Sequence, residues 1–292
     1  MTNNARLGIT LMIATMFVFA AQDGISKHLA EAYNVMIVVI FRYWFFAAFV
    51  VARSASLKGG LRRVAKSGMP KVQIFRGVLL VSEICVMVLG FKLLGLVEAH
   101  AIFAAYPLIV AALSGPVLGE SLGWRRWTAI GIGFVGVLII LRPGFAVFAP
   151  EALISLTATL MFALYALLTR YVARADSAET SFFYTGVAGA IAITLTAPFF
   201  WEPMTTAGDW GWMVVLCIFG ASGHFLLIKT YSVAEAGTVQ PFAYLQLVFA
   251  SAIGVIVFGE TLQFWTAVGA GLIIGSGLYA LWRAQVRAAK AS

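Results

Sequence analysis

Long apolar runs alternate with short polar segments along the whole chain. A membrane core about 30 Å thick needs about 20 mostly apolar residues in a helix that rises about 1.5 Å per residue. Ten such runs predict ten membrane-spanning helices, named here spans 1 to 10 in chain order. They are Leu7–Ser26, Val35–Ala52, Ile74–Phe91, Ala99–Leu118, Trp127–Leu141, Ala152–Thr169, Phe182–Phe200, Trp210–Ile228, Thr238–Phe258 and Phe264–Trp282. Span 1 is too long for the core of a signal peptide, so we expect it to be retained.

The composition excludes a water-soluble globular domain. Of the 292 residues, 62% are hydrophobic and only 11% are charged, whereas soluble domains carry about 25% charged residues. Cys85 and Cys217 both fall within apolar runs and have no CxxC spacing. Neither a disulfide framework nor a thiolate metal site is therefore predicted.

The basic residues predict how the chain is oriented. With the N-terminus inside the cell, the cytoplasmic flanks of the spans hold 16 of the 20 Lys and Arg residues. The outer flanks hold Lys27, Lys92 and Arg142, and Arg42 lies within span 2. Because basic residues in short loops stay cytoplasmic, both termini are predicted to be cytoplasmic. This distribution also accounts for the net charge of +8 without a nucleic-acid partner.

The two halves of the chain are weakly similar to each other. The segment FKLLGLVEAH matches IKTYSVAEAG with Lys92 opposite Lys229, and VLGESL matches VFGETL later in each half. The halves, residues 1–145 and 146–292, then hold five spans each. Because five is odd, the second half enters the membrane from the opposite face, and inverted repeats of this kind enclose a cavity near the midplane. This favours a transporter, with a channel or a scaffold as the alternative.

These residues also carry a family resemblance. The features are the repeated Gly-Glu-x-Leu at Gly119–Leu122 and Gly259–Leu262, the glycine-rich spans 5 and 10, Lys27, and Arg42 followed by aromatic and small residues. On them the chain resembles the drug/metabolite transporter superfamily, specifically its EamA-type ten-helix transporters, and among these the YddG-type exporters of aromatic and other amino acids. The resemblance covers essentially the whole chain.

The resemblance implies a fold and a place in the cell. The expected fold is an all-α integral membrane protein of ten helices, built as two inverted five-helix repeats in the cytoplasmic (inner) membrane. A central path would be walled mainly by spans 1, 3, 4, 6, 8 and 9. Spans 5 and 10 would stand behind them.

Ionisable residues within the spans are the first candidates for function, because each costs at least about 2.5–3.5 kcal/mol at a helix centre. Glu83 lies in the middle of span 3, and His224 lies near the middle of span 8. Each is expected to bind substrate or relay a proton, or else to steady the bundle by a hydrogen bond to a neighbouring helix. Asp23 and Arg42 lie toward the outer ends of spans 1 and 2, where an ion pair between them is expected.

Other candidates come from polar stripes and aromatic surface. Polar residues along one helix face would avoid lipid, and aromatic side chains stack on planar ligands. The polar candidates are Gln22, Gln240 and Tyr244, and the aromatic candidates are Tyr165, Phe103 and Tyr106. Because 23 Phe, 8 Trp and 9 Tyr are spread over all the spans, helix packing or lipid contact is the alternative for each aromatic one.

Glycine and proline positions suggest close packing and a bend. Gly271 and Gly275 form a GxxxG pair, which is expected to let two helices approach closely. Pro107 in the centre of span 4 removes one backbone hydrogen bond and is expected to kink the helix, as a gate hinge or as static packing.

Sequence motifs typical of enzymes are either absent or lie in a segment that cannot form the corresponding site. Gly131, Gly133 and Gly136 spell GxGxxG, but they lie in an apolar span without the preceding strand that a dinucleotide site requires. The sequence has no GxxxxGK[ST] phosphate loop and no HExxH metal motif. We therefore expect no enzymatic activity, no cofactor and no bound metal.

The sequence thus predicts a secondary transporter that exports small amphipathic metabolites, amino acids including aromatic ones, by alternating access through a midplane cavity. The alternatives are a multidrug or nucleotide-sugar carrier of the same superfamily, and a channel or non-transporting membrane subunit. Glu83 and His224 are the candidates for proton coupling. The direction of transport, the coupling ion and the oligomeric state stay open at this point.

Overall fold

The computed structural model describes residues 5–118, 124–141, 150–234 and 239–291, and the regular elements in these ranges are helices. One of them is a 3₁₀ helix, Gln240–Tyr244. The α-helices are α1 Ala5–Ala32, α2 Val35–Ser56, α3 Gly60–Ala65, α4 Pro70–Leu94, α5 Leu96–Phe103, α6 Tyr106–Leu118, α7 Trp124–Leu141, α8 Ala152–Val172, α9 Ala178–Thr194, α10 Ala197–Phe200, α11 Ala207–Val233, α12 Leu245–Phe258 and α13 Phe264–Ala291.

Several helices suit a membrane. Within the described residues, five are long and apolar enough to cross it, over Arg6–Ala32, Val35–Ser56, Pro70–Leu94, Ala152–Thr169 and Ala207–Leu227. Shorter apolar helices cover Leu96–Val110, Trp127–Leu141, Phe242–Phe258 and Phe264–Ala280. Large apolar side chains such as Phe199 and Ile256 are 82% and 81% exposed, as expected where lipid is the solvent. The chain is a multi-span helical membrane protein.

Polar residues in the loops fix where several helices begin. The side chain of Asn34 accepts a hydrogen bond from the backbone N–H of Met36 at the start of α2, over 2.8 Å. Ser177 and Thr206 cap α9 and α11 in the same way. Such caps satisfy backbone donors that the first turn of a helix leaves free.

Spans 4 and 9, called here the broken spans, are not continuous helices, and span 7 also divides, into α9 and the short α10. Span 4 consists of α5 and α6, with Ala104 and Ala105 in a turn between them. Pro107 lies in the first turn of α6, where proline is tolerated, so the expected kink is a complete break just before it. Span 9 begins as the 3₁₀ helix, with Pro241 in its first turn, and continues as α12.

The helices pack in a pattern that is repeated when the halves are exchanged. Helix α1 packs against α11 and α12, and its counterpart α8 packs against α4 and α6. Likewise α2 packs against α11, and α9 packs against α4. Three further pairs join equivalent helices, α2 with α9, α5 with α12, and α7 with α13. Helix α5 of the broken span 4 therefore meets the 3₁₀ helix and α12 of the broken span 9 in the middle of the bundle.

Helices α7 and α13 approach each other through single glycines. A Cβ added at Gly136 would lie 2.7 Å from the carbonyl oxygen of Gly269, and one added at Gly269 would lie 2.6 Å from that of Gly136. In contrast, Cβ atoms at Gly271 and Gly275 would meet no atom within 4 Å. The expectation that Gly271 and Gly275 mediate close packing is therefore wrong, because that pair faces away from the neighbouring helices.

This contact predicts opposite effects for two glycines of one helix. Gly136→Ala should lower the midpoint of thermal unfolding in detergent, because the new methyl group meets the α13 backbone. Gly131→Ala is the matched control, since nothing lies within 4 Å of its Cβ and alanine favours a helix by about 0.5–1 kcal/mol over glycine. Equal midpoints for the two variants would contradict the close approach of α7 and α13.

Candidate substrate site

A small cavity lies between α2, α4 and α11. Its lining residues are Arg42, Tyr43, Phe46, Ile84, Cys217, Gly220, Ala221 and His224. The His224 ring stacks on Phe46 at a centroid distance of 5.5 Å and meets the edge of Phe19 at 5.3 Å. The cavity volume is about 10 Å³, which is room for about one water molecule. The structure is therefore closed around this point.

Arg42 is a buried cation without a counter-ion. It is 7% exposed, and in the part of the chain that the structure describes it makes no hydrogen bond and no ion pair. Two neutral groups nearby are also unpaired, the hydroxyl of Tyr43 and Oε1 of Gln22. A Cβ at Gly220 would lie 3.3 Å from Gln22 Oε1 and 3.4 Å from Arg42 Nε, so this glycine leaves space where the two side chains meet.

Glu83 supplies a carboxyl group to the same region. It lies on α4, is 4% exposed, and has no hydrogen bond or ion pair among the described residues. Arg42 and Asp23 are both close enough to act on its charge, and Arg42 also acts on His224. The two ionisable candidates, Glu83 and His224, are thus brought together around Arg42.

Asp23 has other partners than the expected Arg42. Its Oδ2 accepts a hydrogen bond from Gln246 Nε2 at 3.1 Å and lies 3.1 Å from His100 Nε2, and its Oδ1 accepts from Gln22 Nε2 at 3.4 Å. The predicted ion pair between Asp23 and Arg42 is wrong, because α5 and α12 supply the partners instead. His100 was missed, although its place as the last residue of the repeated segment FKLLGLVEAH was a usable signal.

A second cavity of about 20 Å³ lies where the broken spans meet. It is lined by His100, Phe103, Ala104, Tyr106, Pro107, Ala243, Tyr244, Gln246 and Leu247. The rings of Phe103 and Tyr106 lie 5.2 Å apart, and the buried hydroxyl of Tyr244 has no hydrogen-bond partner. Three of the predicted residues therefore line this cavity, while the side chain of Gln240 lies outside the described ones.

Tyr165 lies away from both cavities, at the end of the bundle where α4, α8 and α9 meet. Its hydroxyl accepts a hydrogen bond from Arg76 Nη1 at 3.2 Å. Arg76 also donates to Gln73, to Thr169 and to the carbonyl oxygen of Ser181. The Arg76 side chain is 1% exposed, so this residue, counted above among the basic flanks, is a buried link between three helices.

The chain matches one protein family twice. The EamA-like transporter family matches residues 6–142 and residues 149–282. The chain belongs to the EamA-like transporter family. It is therefore a transporter rather than an enzyme. Across the described residues no group of three or more His, Cys, Asp or Glu side chains is placed to hold a metal ion.

Curated relatives of this EamA-like transporter carry transporter names. The S-adenosylmethionine uptake transporter of Rickettsia bellii (strain RML369-C) is 28% identical over 279 residues, covering 94% of each chain. The riboflavin transporter of Vibrio cholerae is 30% identical over 186 residues, 61% of this chain and 59% of that one. A solved crystal structure is similar with a TM-score of 0.63 and 19% identity, over 98% of this chain and 99% of that one, which shows the fold alone.

One loop of this EamA-like transporter ties three helices together at the end opposite to Arg76. Glu260, in the second Gly-Glu-x-Leu motif, accepts hydrogen bonds from Lys27 at 2.5 Å and from the backbone N–H groups of Leu96 and Val97 at 2.8 Å each. Gly95 turns the chain between α4 and α5 with φ of +92°, and a Cβ there would lie 3.0 Å from the Glu260 carboxylate. The positive φ and the close contact at this turn require glycine.

Glu260 is ionised in this arrangement. Burial alone would raise its pKa, but the hydrogen bonds from Lys27, Val97 and Leu96 outweigh burial and hold the pKa below its ordinary value of 4.5. A carboxylate whose pKa is lowered by folding stabilises the folded state above its ordinary pKa, and this stabilisation is lost as the pH falls through the lowered value.

The Glu260 contacts predict a pH-dependent stability difference. Glu260→Gln should lower the midpoint of thermal unfolding in detergent at pH 7, and its difference from the wild type should shrink as the pH falls below 4.5. Glu31→Gln is the control, since Glu31 faces the same Lys27 at 3.6 Å but its side chain is 48% exposed, and exposed pairs contribute about 0–1 kcal/mol. An equally large decrease of the unfolding midpoint in Glu31→Gln would refute the specific role of Glu260.

Proposed function

We propose that this protein is a secondary transporter for small zwitterionic metabolites that carry an α-amino-acid group. The observation that carries the proposal is the buried Arg42, which lines a cavity and has no anionic partner among the described residues. Leaving a charge uncompensated in a buried site costs several kcal/mol. A cargo that brings a carboxylate to Arg42 removes this cost during the passage of the cargo.

The neighbours of Arg42 suit the other groups of such a cargo. A guanidinium holds a carboxylate through two parallel hydrogen bonds. The carboxyl of Glu83 and the unpaired Oε1 of Gln22 are acceptors for the ammonium group. The Tyr43 hydroxyl is a further unpaired group on this cavity. Together these residues match both charges of an α-amino acid.

S-adenosylmethionine and the aromatic amino acids both fit this chemistry. Each has an α-amino-acid end and a flat aromatic ring, and the rings of Phe103 and Tyr106 at the second cavity offer a stacking surface. S-adenosylmethionine is the first cargo to test, because relatives that match 94% of the chain are named for its uptake. Amino acids are the second, as the sequence predicted.

Alternating access is supported by the repeat and by the closed cavities. Residues 1–145 and 146–292 would be inverted five-helix units, each moving against the other around the midplane. Both cavities are far too small for a metabolite, at about 10 and 20 Å³, so passage requires a movement of helices. The excess of basic residues in alternate loops supports cytoplasmic termini in an inner-membrane protein.

The cargo is tested with purified protein in liposomes. Vesicles preloaded with unlabelled S-adenosylmethionine should take up labelled S-adenosylmethionine by exchange, and the rate should saturate. Phenylalanine outside should compete, whereas a nucleotide sugar and a lipophilic cation should not. Flux that does not saturate would favour a channel, and competition by the lipophilic cation alone would favour a multidrug carrier. Inverted and right-side-out vesicles then separate uptake from export.

Arg42 is tested by removing its charge. Arg42→Met should lower exchange of S-adenosylmethionine by about ten- to a hundredfold, because hydrogen bonds to charged groups contribute about 1.5–3 kcal/mol. Glu83→Gln should lower it in the same direction. Arg53→Met is the matched control, since Arg53 lies exposed on the same helix α2, over the ring of Phe225. Unchanged exchange in Arg42→Met with normal expression would remove Arg42 from the site.

A further inference from the structure

Asp23 and His100 form a hydrogen-bonded pair, in which the Asp23 side chain is 13% exposed. His100 is 2% exposed, and its ring stacks on Phe91 at 5.0 Å with an interplanar angle of 2°. One ring nitrogen, Nδ1, lies 3.0 Å from the carbonyl oxygen of Leu96, and the other, Nε2, lies 3.1 Å from Asp23 Oδ2. Both nitrogens therefore face oxygen atoms.

The proton count follows from these contacts. A carbonyl oxygen only accepts hydrogen bonds, so Nδ1 of His100 carries a hydrogen. A neutral imidazole has one N–H group, and its second nitrogen would then direct a lone pair at an ionised carboxylate. One additional proton, either on His100 as an imidazolium or on Asp23 as a carboxylic acid, would remove this repulsion. In both forms Gln246 Nε2 donates to Asp23 Oδ2.

We propose that Asp23 and His100 together bind the proton that this transporter carries in the same direction as its cargo. The proposal rests on the proposed function. The pair joins α1 to α5 and lies beside α12, at the centre of the bundle where the two broken spans meet. His100 and Gln246 both line the second cavity, so a movement that opens this cavity exposes the pair to water and lets the proton exchange.

The proton site and the Arg42 cavity are separate but adjacent. Arg42 lines the first cavity, while His100 lines the second, so a proton and the carboxylate of the cargo can be bound at the same time, and movement of both in the same direction is expected. Gln22 connects the two, because its Nε2 donates to Asp23 and its Oε1 lies near the Arg42 cavity. Binding of a proton by Asp23 and His100 changes the charge that faces the cargo.

Other charged and titratable groups lie on the same helices as the pair and on neighbouring ones. Asp23 acts on Glu83 of α4 and on His224 of α11. The remaining groups are Lys27 on α1, Glu98 on α5, Arg42 and Tyr43 on α2, Tyr106 on α6 and Tyr244 on the 3₁₀ helix. Of these, Lys27 is paired with Glu260 and with Glu31. Asp23 and His100 are in direct mutual contact, which makes them the shared proton site.

The test uses full-length protein in liposomes with labelled S-adenosylmethionine as the probe. A gradient of one pH unit, acid outside and with the membrane potential held at zero, supports about tenfold accumulation if one proton accompanies each cargo molecule. Wild type should reach this level while a pH-sensitive dye inside records acidification. In Asp23→Asn and in His100→Gln the gradient should drive no accumulation, so the probe that enters should reach only equal concentrations inside and outside, even where the overall rate is lower. His28→Gln, a histidine exposed on α1, should behave as wild type.

Three results would overturn the proposal. The first is accumulation of the probe driven by the pH gradient in both variants. The second is accumulation of the probe on the acid side of the membrane. The third is transport by the wild type that the pH gradient does not change. If wild type moves no probe at all, the proposed cargo fails, and nitrogen NMR of the three histidines decides the proton site. The His100 signal, identified by its loss in His100→Gln, should show a proton in the hydrogen bond between Nε2 and Asp23, and Asp23→Asn should remove this proton. A signal unaffected by Asp23→Asn would refute the shared proton.

Discussion

Ionised side chains are costly in a bundle surrounded by lipid, and most of the buried ones here meet that cost with a partner. Arg76 donates to side chains of α4 and α8 and to the backbone of α9, and Lys27 contacts Glu260. Arg42 is the exception among these cations, because it forms no hydrogen bond and no ion pair with any described residue. The buried cations near the two ends of the bundle are therefore paired, whereas Arg42 is not, which suits the proposed cargo that brings a carboxylate.

Apolar runs were sufficient to locate the helices, because in lipid a helix must satisfy its own backbone hydrogen bonds over the full thickness of the membrane. The breaks within them were harder to predict. Pro107 signalled a disturbance in span 4, but the turn at Ala104 and Ala105 and the one-residue turn at Gly95 depend on what packs against them. The Glu260 carboxylate that bonds the start of α5 comes from a loop more than 150 residues away.

The residues of the candidate site, like the helix breaks, could be predicted from the sequence only in part. Glu83 and His224 could be selected from the sequence, because an ionisable residue within an apolar run is recognised from its own position, without knowledge of the residues that it contacts. The pairing of Asp23 was not visible, because it depends on how α1 is rotated relative to α2 and α5. Arg76 counted as a loop charge because it lies near the beginning of an apolar run, yet its helix begins earlier, at Pro70, and buries it.

Helix α1 is where the cargo cavity and the proton pair are connected. Gln22 and Asp23 are consecutive residues, and neighbouring positions on a helix point in different directions. Gln22 faces Gly220 of α11 across the Arg42 cavity, while Asp23 faces His100 of α5. Because α1 packs against both α11 and α12, one rotation or tilt of α1 changes both sites together. Such a shared rigid element is the simplest physical route by which a proton bound at one site alters the affinity for a cargo at the other.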